Sequence, residues 1–213
     1  MIHPDTELRF VSDTIGYGVF ATRPIPRGTI TWVRDLLDQV IEPEKYHRLP
    51  ALYKRKLERY AYVDRRGRWV LCWDLARSVN HSCSANCLSP GYEFEIAVRD
   101  IAAGEELTDE YGSLNLHESF ECDCGAPDCR RTVHPDDVVR LHGQWDDAIR
   151  AAFPEIPGVP QPLWEIVTKK DKERVDEVLA DRGQLESVLK NYYDLAAKRG
   201  NGKNGKRRVG ATR

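Results

Sequence analysis

The chain has 213 residues, with 32 Lys and Arg against 34 Asp and Glu and a formal net charge of −2. Hydrophobic residues make up 41% and charged residues 31%, which excludes a disordered or collagen-like chain, and no apolar run approaches the roughly 20 residues that span a bilayer. One domain with an appendage, or two small domains, is expected, and the near-neutral balance argues against a nucleic-acid binder with a uniformly basic surface.

Residues 8 to 33 alternate apolar and polar side chains, punctuated by Gly16, Gly18, Pro24, Pro26 and Gly28, and predict short strands and turns. Residues 43 to 60 predict helix divided at Pro50. Strands are predicted in YAYVD and RWVLCW, joined by a hairpin turn at Arg65-Arg66-Gly67, then in EFEIAVR and again within residues 100 to 111 after a glycine turn. Val138, Leu141, Trp145, Ile149 and Ala152 recur at intervals of three and four, the pattern of an amphipathic helix. The segment PEIPGVPQP is a stiff break. Val175, Val178 and Leu179 predict a further helix, and Val188, Leu189, Tyr192 and Leu195 another that stops near Gly200. These C-terminal helices read as a packing buttress rather than a separate catalytic domain. From Lys198 onward there are seven basic residues and no acidic one, the composition of a disordered, solvated tail or of a contact with nucleic acid or an acidic partner. The opening MIHPDTELRF lacks the apolar core of a signal peptide, so an intracellular protein is expected.

Three segments carry chemistry. Gly16-Tyr17-Gly18-Val19-Phe20-Ala21 formally fits a dinucleotide fingerprint, but Pro24 and Pro26 forbid the helix that fingerprint needs. What survives is a tight glycine turn where backbone can approach a ligand. Residues 77 to 87, RSVNHSCSANC, form a polar loop between apolar strands, with Asn80 and His81 offering donors and acceptors. Cys122, Cys124 and Cys129 stand at C-x-C-x4-C, three thiolates of a zinc site that lacks its fourth ligand. Cys83 and Cys87 are the candidates to complete it.

These segments, in this order, resemble a SET-domain protein-lysine methyltransferase. GYGVFATRPIPRGTI resembles the G-x-G-v-F-A opening of that family, RSVNHSCSANC its R-F-x-N-H-S-C-x-P-N-C core, and GEELTDEYG followed by CDCGAPDC its tyrosine strand and post-SET cysteine tail. The match runs from about residue 8 to 130. The resemblance implies a mostly β fold, built of small sheets with a pseudoknot-like threading, plus a helical insert at about 43–60 and an α-helical C-terminal extension. Its domain pattern is a SET domain at 8–113, a zinc segment at 114–131, an extension at 132–199 and a basic tail at 200–213.

The resemblance also implies the site. S-adenosylmethionine would be bound by Tyr17, Gly18, Asn80, His81 and Asp123, with Tyr111 the active-site tyrosine. Tyr60 is the upstream tyrosine that contacts the cofactor or lines the substrate channel, with Tyr62 as its competitor. Zinc would sit on Cys83, Cys122, Cys124 and Cys129, which selects Cys83 over Cys87. The implied reaction moves a methyl group to the side-chain amine of lysine in a protein, a histone or another basic protein, with no membrane partner and a cytoplasmic or, in a eukaryote, nuclear setting. The acidic bias of residues 100 to 137, eleven Asp and Glu against two Arg, suits attraction of a cationic peptide or a solvated face equally.

Four departures from the family pattern stand out. Ala85 replaces a proline and Glu110 replaces an aspartate. Asp109 stands where many members carry Phe or Tyr, the residue limiting how many methyl groups fit, and an Asp there can hold water or engage an ammonium. Trp32, Val33 and Arg34 stand where the family often places a Glu-Tyr pair. Two other readings follow: a catalytically impaired SET-like module that binds cofactor or a protein partner, and a zinc-dependent nucleic-acid binder, which leaves NHSC and GEELTDEY unexplained.

Overall fold

The computed structural model describes residues 1–193. In chain order it contains β1 (Thr6–Ser12), β2 (Gly16–Ala21), β3 (Ile30–Val33), β4 (Gln39–Ile41), α1 (Pro43–Arg48), α2 (Ala51–Tyr60), β5 (Ala61–Val63) and β6 (Trp69–Leu71). There follow β7 (Asn80–His81), β8 (Cys87–Leu88), β9 (Phe94–Ala97), β10 (Glu106–Asp109), β11 (Phe120–Glu121), β12 (Thr132–Val133), α3 (Asp137–Ala152) and α4 (Lys169–Leu179). The largest sheet runs β1-β2-β10-β8-β9-β3, with β7 also paired to β10. Smaller sheets are β4-β6-β5 and β11-β12.

Parallel pairing places the site. Within the large sheet β10 runs parallel to β7 and β8, with Thr108 opposite Asn80 and Asp109 opposite both His81 and Cys87. Parallel neighbours need a long crossover, here the excursion through β9. It is what lays the tyrosine strand against the NHSC segment, the juxtaposition expected of the threaded fold.

Proline at position 50 divides the insert as expected: α1 ends before it and α2 begins after it, since proline supplies no N–H to continue a helix. The glycine turn falls elsewhere. Residues 13–15 make the β1–β2 turn, Gly16 closes it at φ 89°, and Gly18 lies within the strand.

The C-terminal helices share a core with the sheet. Phe94 and Ile96 from β9 and Ile30 and Val33 from β3 pack with Trp145, Ile149, Phe153 and Val175. Gln161 adds a polar tie, its side chain accepting from Ile30 N–H and donating to Gly28 O, both at 2.8 Å. The expected last helix is a correction: among the described residues it is a single 3₁₀ turn, Val188–Asn191. Tertiary bonds overrule helical periodicity there. Asn115 donates to Asn191 O and accepts from Tyr193 N–H, both at 2.8 Å, and Asn191 donates to Ser89 Oγ at 3.1 Å. Leu195 and the basic tail lie outside the described residues. No helix among the described residues is long and apolar enough to cross a membrane.

Candidate active site and metal centre

A 3₁₀ turn, Leu75–Ser78, delivers the chain to β7, and Asp74 caps it by accepting from Ala76 N–H at 3.0 Å. Asn80 then donates to Tyr17 O at 3.1 Å and to Glu106 Oε1 at 2.7 Å, stapling β7 across β10 to β2. Gly18 is needed for that staple. A Cβ there would lie 2.1 Å from Glu106 Oε1 and 2.9 Å from Asn80 Nδ2. The close approach expected at this glycine is thus made by the protein's own side chains. Tyr17 is 56% exposed and meets Phe10 edge-on at 5.7 Å.

His81 sits among Tyr111, Phe120 and Cys83. Tyr111 N–H points at His81 Nδ1 at 3.2 Å, and Nε2 lies 3.5 Å from Cys83 Sγ. Burial holds the imidazole below its ordinary pKa, against the opposing pull of Glu110. The Tyr111 hydroxyl donates to Val79 O at 2.7 Å. Burial, with Asp109 nearby, pushes its phenol above the ordinary value of 10.0.

Arg130, which no sequence motif marks, joins the candidate site through Glu110. It donates two hydrogen bonds to the Glu110 carboxylate, at 2.7 and 2.8 Å, and approaches Asp137 at 3.4 Å. Glu110 is 1% exposed, so this fork joins the tyrosine strand, the cysteine segment and α3 under cover from water. Glu110 also accepts from Gly112 N–H at 2.9 Å, which shapes the turn holding Tyr111.

The four predicted thiols converge. The sulfurs of Cys83, Cys122, Cys124 and Cys129 all lie within 4.8 Å of one another, with Cys83–Cys122 at 3.9 Å and Cys122–Cys129 at 3.7 Å. Tetrahedral zinc at about 2.3 Å from each sulfur needs sulfurs about 3.8 Å apart. The donor set therefore fits zinc. Main-chain N–H groups of Cys83 and Arg130 point at Cys124 and Cys83 sulfurs, each at 3.4 Å, and favour the thiolate form. Cys87, the other candidate, is 2% exposed in the sheet core.

Beside Tyr111 opens a cavity of about 590 Å³. Its wall includes Trp32, Tyr60, Tyr62, Val79, Asp109 and Tyr111. Tyr62 packs edge-on against Trp32 at 5.8 Å, while Tyr60 lies at the end of α2 beside Arg59. Both upstream tyrosines thus reach the cavity. Val79 O, the Tyr111 hydroxyl and the Asp109 carboxyl put acceptor oxygens on its wall, a chemistry that suits a sulfonium or an ammonium. Asp123 is not brought to it: its side chain is 89% exposed and paired with Arg131 at 2.8 Å. Arg34 is held by Asp64 at 3.2 Å and Glu93 at 3.1 Å, which accounts for the departure at that position.

The SET domain family profile matches residues 16–112. A variant-silencing SET domain-containing protein of Plasmodium falciparum is 30% identical over 145 residues, 59% of this chain and 5% of that protein. The histone-lysine N-methyltransferase trr of Drosophila melanogaster is 30% identical over 134 residues, 56% of this chain and 5% of the relative. A histone-lysine N-methyltransferase of Schizosaccharomyces pombe, specific for H3 lysine-36, is 26% identical over 188 residues, 78% of this chain and 22% of the relative. The chain spans a small fraction of the length of these relatives.

Proposed function

The chain carries a SET domain over residues 16–112, and from that premise we propose that it is an S-adenosylmethionine-dependent protein-lysine methyltransferase. The observation that carries this reading is Tyr111 and Asp109, at the end of β10, lining one cavity with Tyr60, Tyr62 and Trp32. In this reading residues 8–113 are the catalytic domain, 114–131 the zinc segment and 132–199 a buttress.

Bound S-adenosylmethionine supplies an electrophilic methyl group on a sulfonium cation. Tyr17, Gly18, Asn80 and His81 would hold it, with Tyr60 and Tyr111 where it meets the substrate. Asp123 would contribute through its main chain, since its side chain points to solvent. Tyr111 is not a base: a phenol raised above 10.0 stays protonated at neutral pH, and its hydrogen is committed to Val79 O. Its oxygen lone pairs remain free to accept from an amine and aim it, a positioning contribution. The aromatic wall of Trp32, Tyr60 and Tyr62 excludes water, which favours the neutral amine over the ammonium. Zinc on the four cysteines would fix residues 122–129 to the NHSC loop, beneath His81. A histone or another basic protein is the substrate class that the named activities of the relatives favour.

Two assays test the proposal. Calorimetry with S-adenosylhomocysteine reads cofactor binding, and tritium transfer from labelled S-adenosylmethionine to core histones or lysate proteins reads catalysis. Binding with transfer is expected. Binding without transfer to any protein would leave the impaired binding module.

A further inference from the structure

The cavity holds a feature that the family resemblance does not supply. Asp109, 6% exposed at the end of β10, and Glu95 in β9 both line its wall and share a side-chain hydrogen bond across the intervening β8. Two carboxyls can bond to each other only if one keeps its proton. Asp109 accepts from Glu110 N–H at 2.7 Å, which suits it to the acceptor's place and leaves the donor's to Glu95. The pair therefore carries one negative charge when Asp109 is ionised. The neighbouring cations among the described residues are committed elsewhere: the guanidiniums of Arg34 and Arg130 are bound to Asp64, Glu93 and Glu110, and the amino terminus is paired with Asp35 at 2.7 Å. Trp32, on the wall of this same cavity, meets Tyr62 edge-on at 5.8 Å, and such an aromatic lining suits a cationic ligand.

A buried anion without a counterion is costly, and the cost is relieved by a cation that enters from outside. Resting on the methyltransferase reading, we propose that the Asp109–Glu95 pair binds the substrate lysine as its ammonium and takes the proton that must leave before methyl transfer. The step is balanced. One N–H bond of the ammonium breaks, its electron pair stays on nitrogen, and the proton forms an O–H bond on the Asp109 carboxylate. Two opposite charges become a neutral amine and a neutral acid pair, a change that a desolvated cavity favours. The pair must return that proton to water before a second amine proton can be taken.

The setting suits this role. Burial pushes Asp109 up to about 7, so the acceptor reloads near neutral pH. Around it stand the Cys87 thiol from β8, the Glu110 carboxylate and the Tyr111 phenol, while His81 touches Asp109 through its main-chain oxygen. Glu95 feels the Cys72 and Cys87 thiols and the amino terminus.

The test has an arm that needs no turnover. The protein, labelled with carbon-13 at Asp and Glu carboxyls, is titrated by NMR between pH 5 and 9 with and without n-butylammonium chloride, a probe of the lysine side-chain end. A carboxyl signal that titrates near neutrality, is absent in Asp109→Asn and moves down by about one pH unit with n-butylammonium is expected. Carboxyls that all titrate below 5, or a midpoint indifferent to the probe, would overturn the proposal. In the kinetic arm, wild-type kcat should rise with pH through about 7 as Asp109 ionises. Asp109→Asn should lose that limb and at least about 100-fold in kcat. Glu95→Gln keeps a donor to Asp109 and should keep the limb, which a merely structural pair does not require. Asp109→Asn with wild-type kcat and pH profile would overturn the assignment. Failure of the wild type to methylate core histones or lysate proteins counts against the methyltransferase reading and leaves the titration result standing.

Discussion

Gly18→Ala tests how the cofactor face is built. The backbone at Gly18 is ordinary, so alanine meets no conformational barrier and would gain up to about 0.5 kcal/mol by restricting the unfolded chain. Against this, the new Cβ would stand 2.1 Å from Glu106 Oε1 and 2.9 Å from Asn80 Nδ2. Both atoms end movable side chains, so the strand survives and the 2.7 Å Asn80–Glu106 bond is what breaks. A hydrogen bond to a charged group contributes about 1.5–3 kcal/mol. The net loss is about 2 kcal/mol, or about 4–8 °C in Tm for a chain of this size. Urea unfolding of wild type, Gly18→Ala, Glu106→Ala and the double variant forms a cycle. In the Glu106→Ala background the glycine substitution should cost less than about 0.5 kcal/mol, because Asn80 is then free to turn away. Additive losses would refute the clash. S-adenosylhomocysteine affinity should fall with Gly18→Ala, since Asn80 is displaced.

Three other outcomes follow from the same geometry. Cys124→Ser removes one of four thiolates; with structural zinc worth about 10–16 kcal/mol in all, about 3 kcal/mol or 100-fold in zinc affinity should go with it. Elemental analysis after chelator challenge checks this, and full zinc retention would defeat it. Tyr111→Phe loses the 2.7 Å bond to Val79 O and the oxygen that aims the amine. It should fold with a loss of about 1 kcal/mol and lower kcat by about 100-fold with little change in cofactor affinity, read by calorimetry beside a turnover assay. The third concerns pH and stability. Asp109 holds its proton up to about 7 in the native chain but loses it near 3.8 when unfolded, so the native state binds more protons between those values. Stability is full below about pH 4 with respect to this group and is lost as pH rises through about 7. Denaturant titrations at pH 5 and 8 should show the wild type losing more than Asp109→Asn, and equal slopes would contradict the burial of an ionised pair.

Much of the site was legible because its chemistry is local. The C-x-C-x4-C spacing, with the NHSC resemblance to choose Cys83 over Cys87, pointed to the four thiols that converge, and Pro50 marked the break in the insert. What escaped depends on contacts between distant segments. Glu95 alternates with Phe94 and Ile96 and reads as the solvent side of a strand. It is drawn inside because β9 lies between β8 and β3 and its outer face is covered by the cavity wall. Arg130 follows a cysteine motif and reads as a surface charge until β10 delivers Glu110 to it. The ring stack of Tyr46, Trp69 and His117, with neighbours 4.6 Å apart on either side of Trp69, joins α1, β6 and the zinc-segment approach, three pieces with no shared periodicity. The last helix failed for the opposite reason: a sound local pattern yielded to side-chain bonds from Asn115 and Ser89.

The most direct test of the central claim is mass spectrometry of proteins incubated with the full chain and S-adenosylmethionine carrying an isotopically labelled methyl group. The account predicts label on the side-chain nitrogen of lysine in core histones or lysate proteins, lower by about 100-fold in reactions with Tyr111→Phe at matched early time. Wild-type protein that binds S-adenosylhomocysteine yet places no label on any lysine would contradict it.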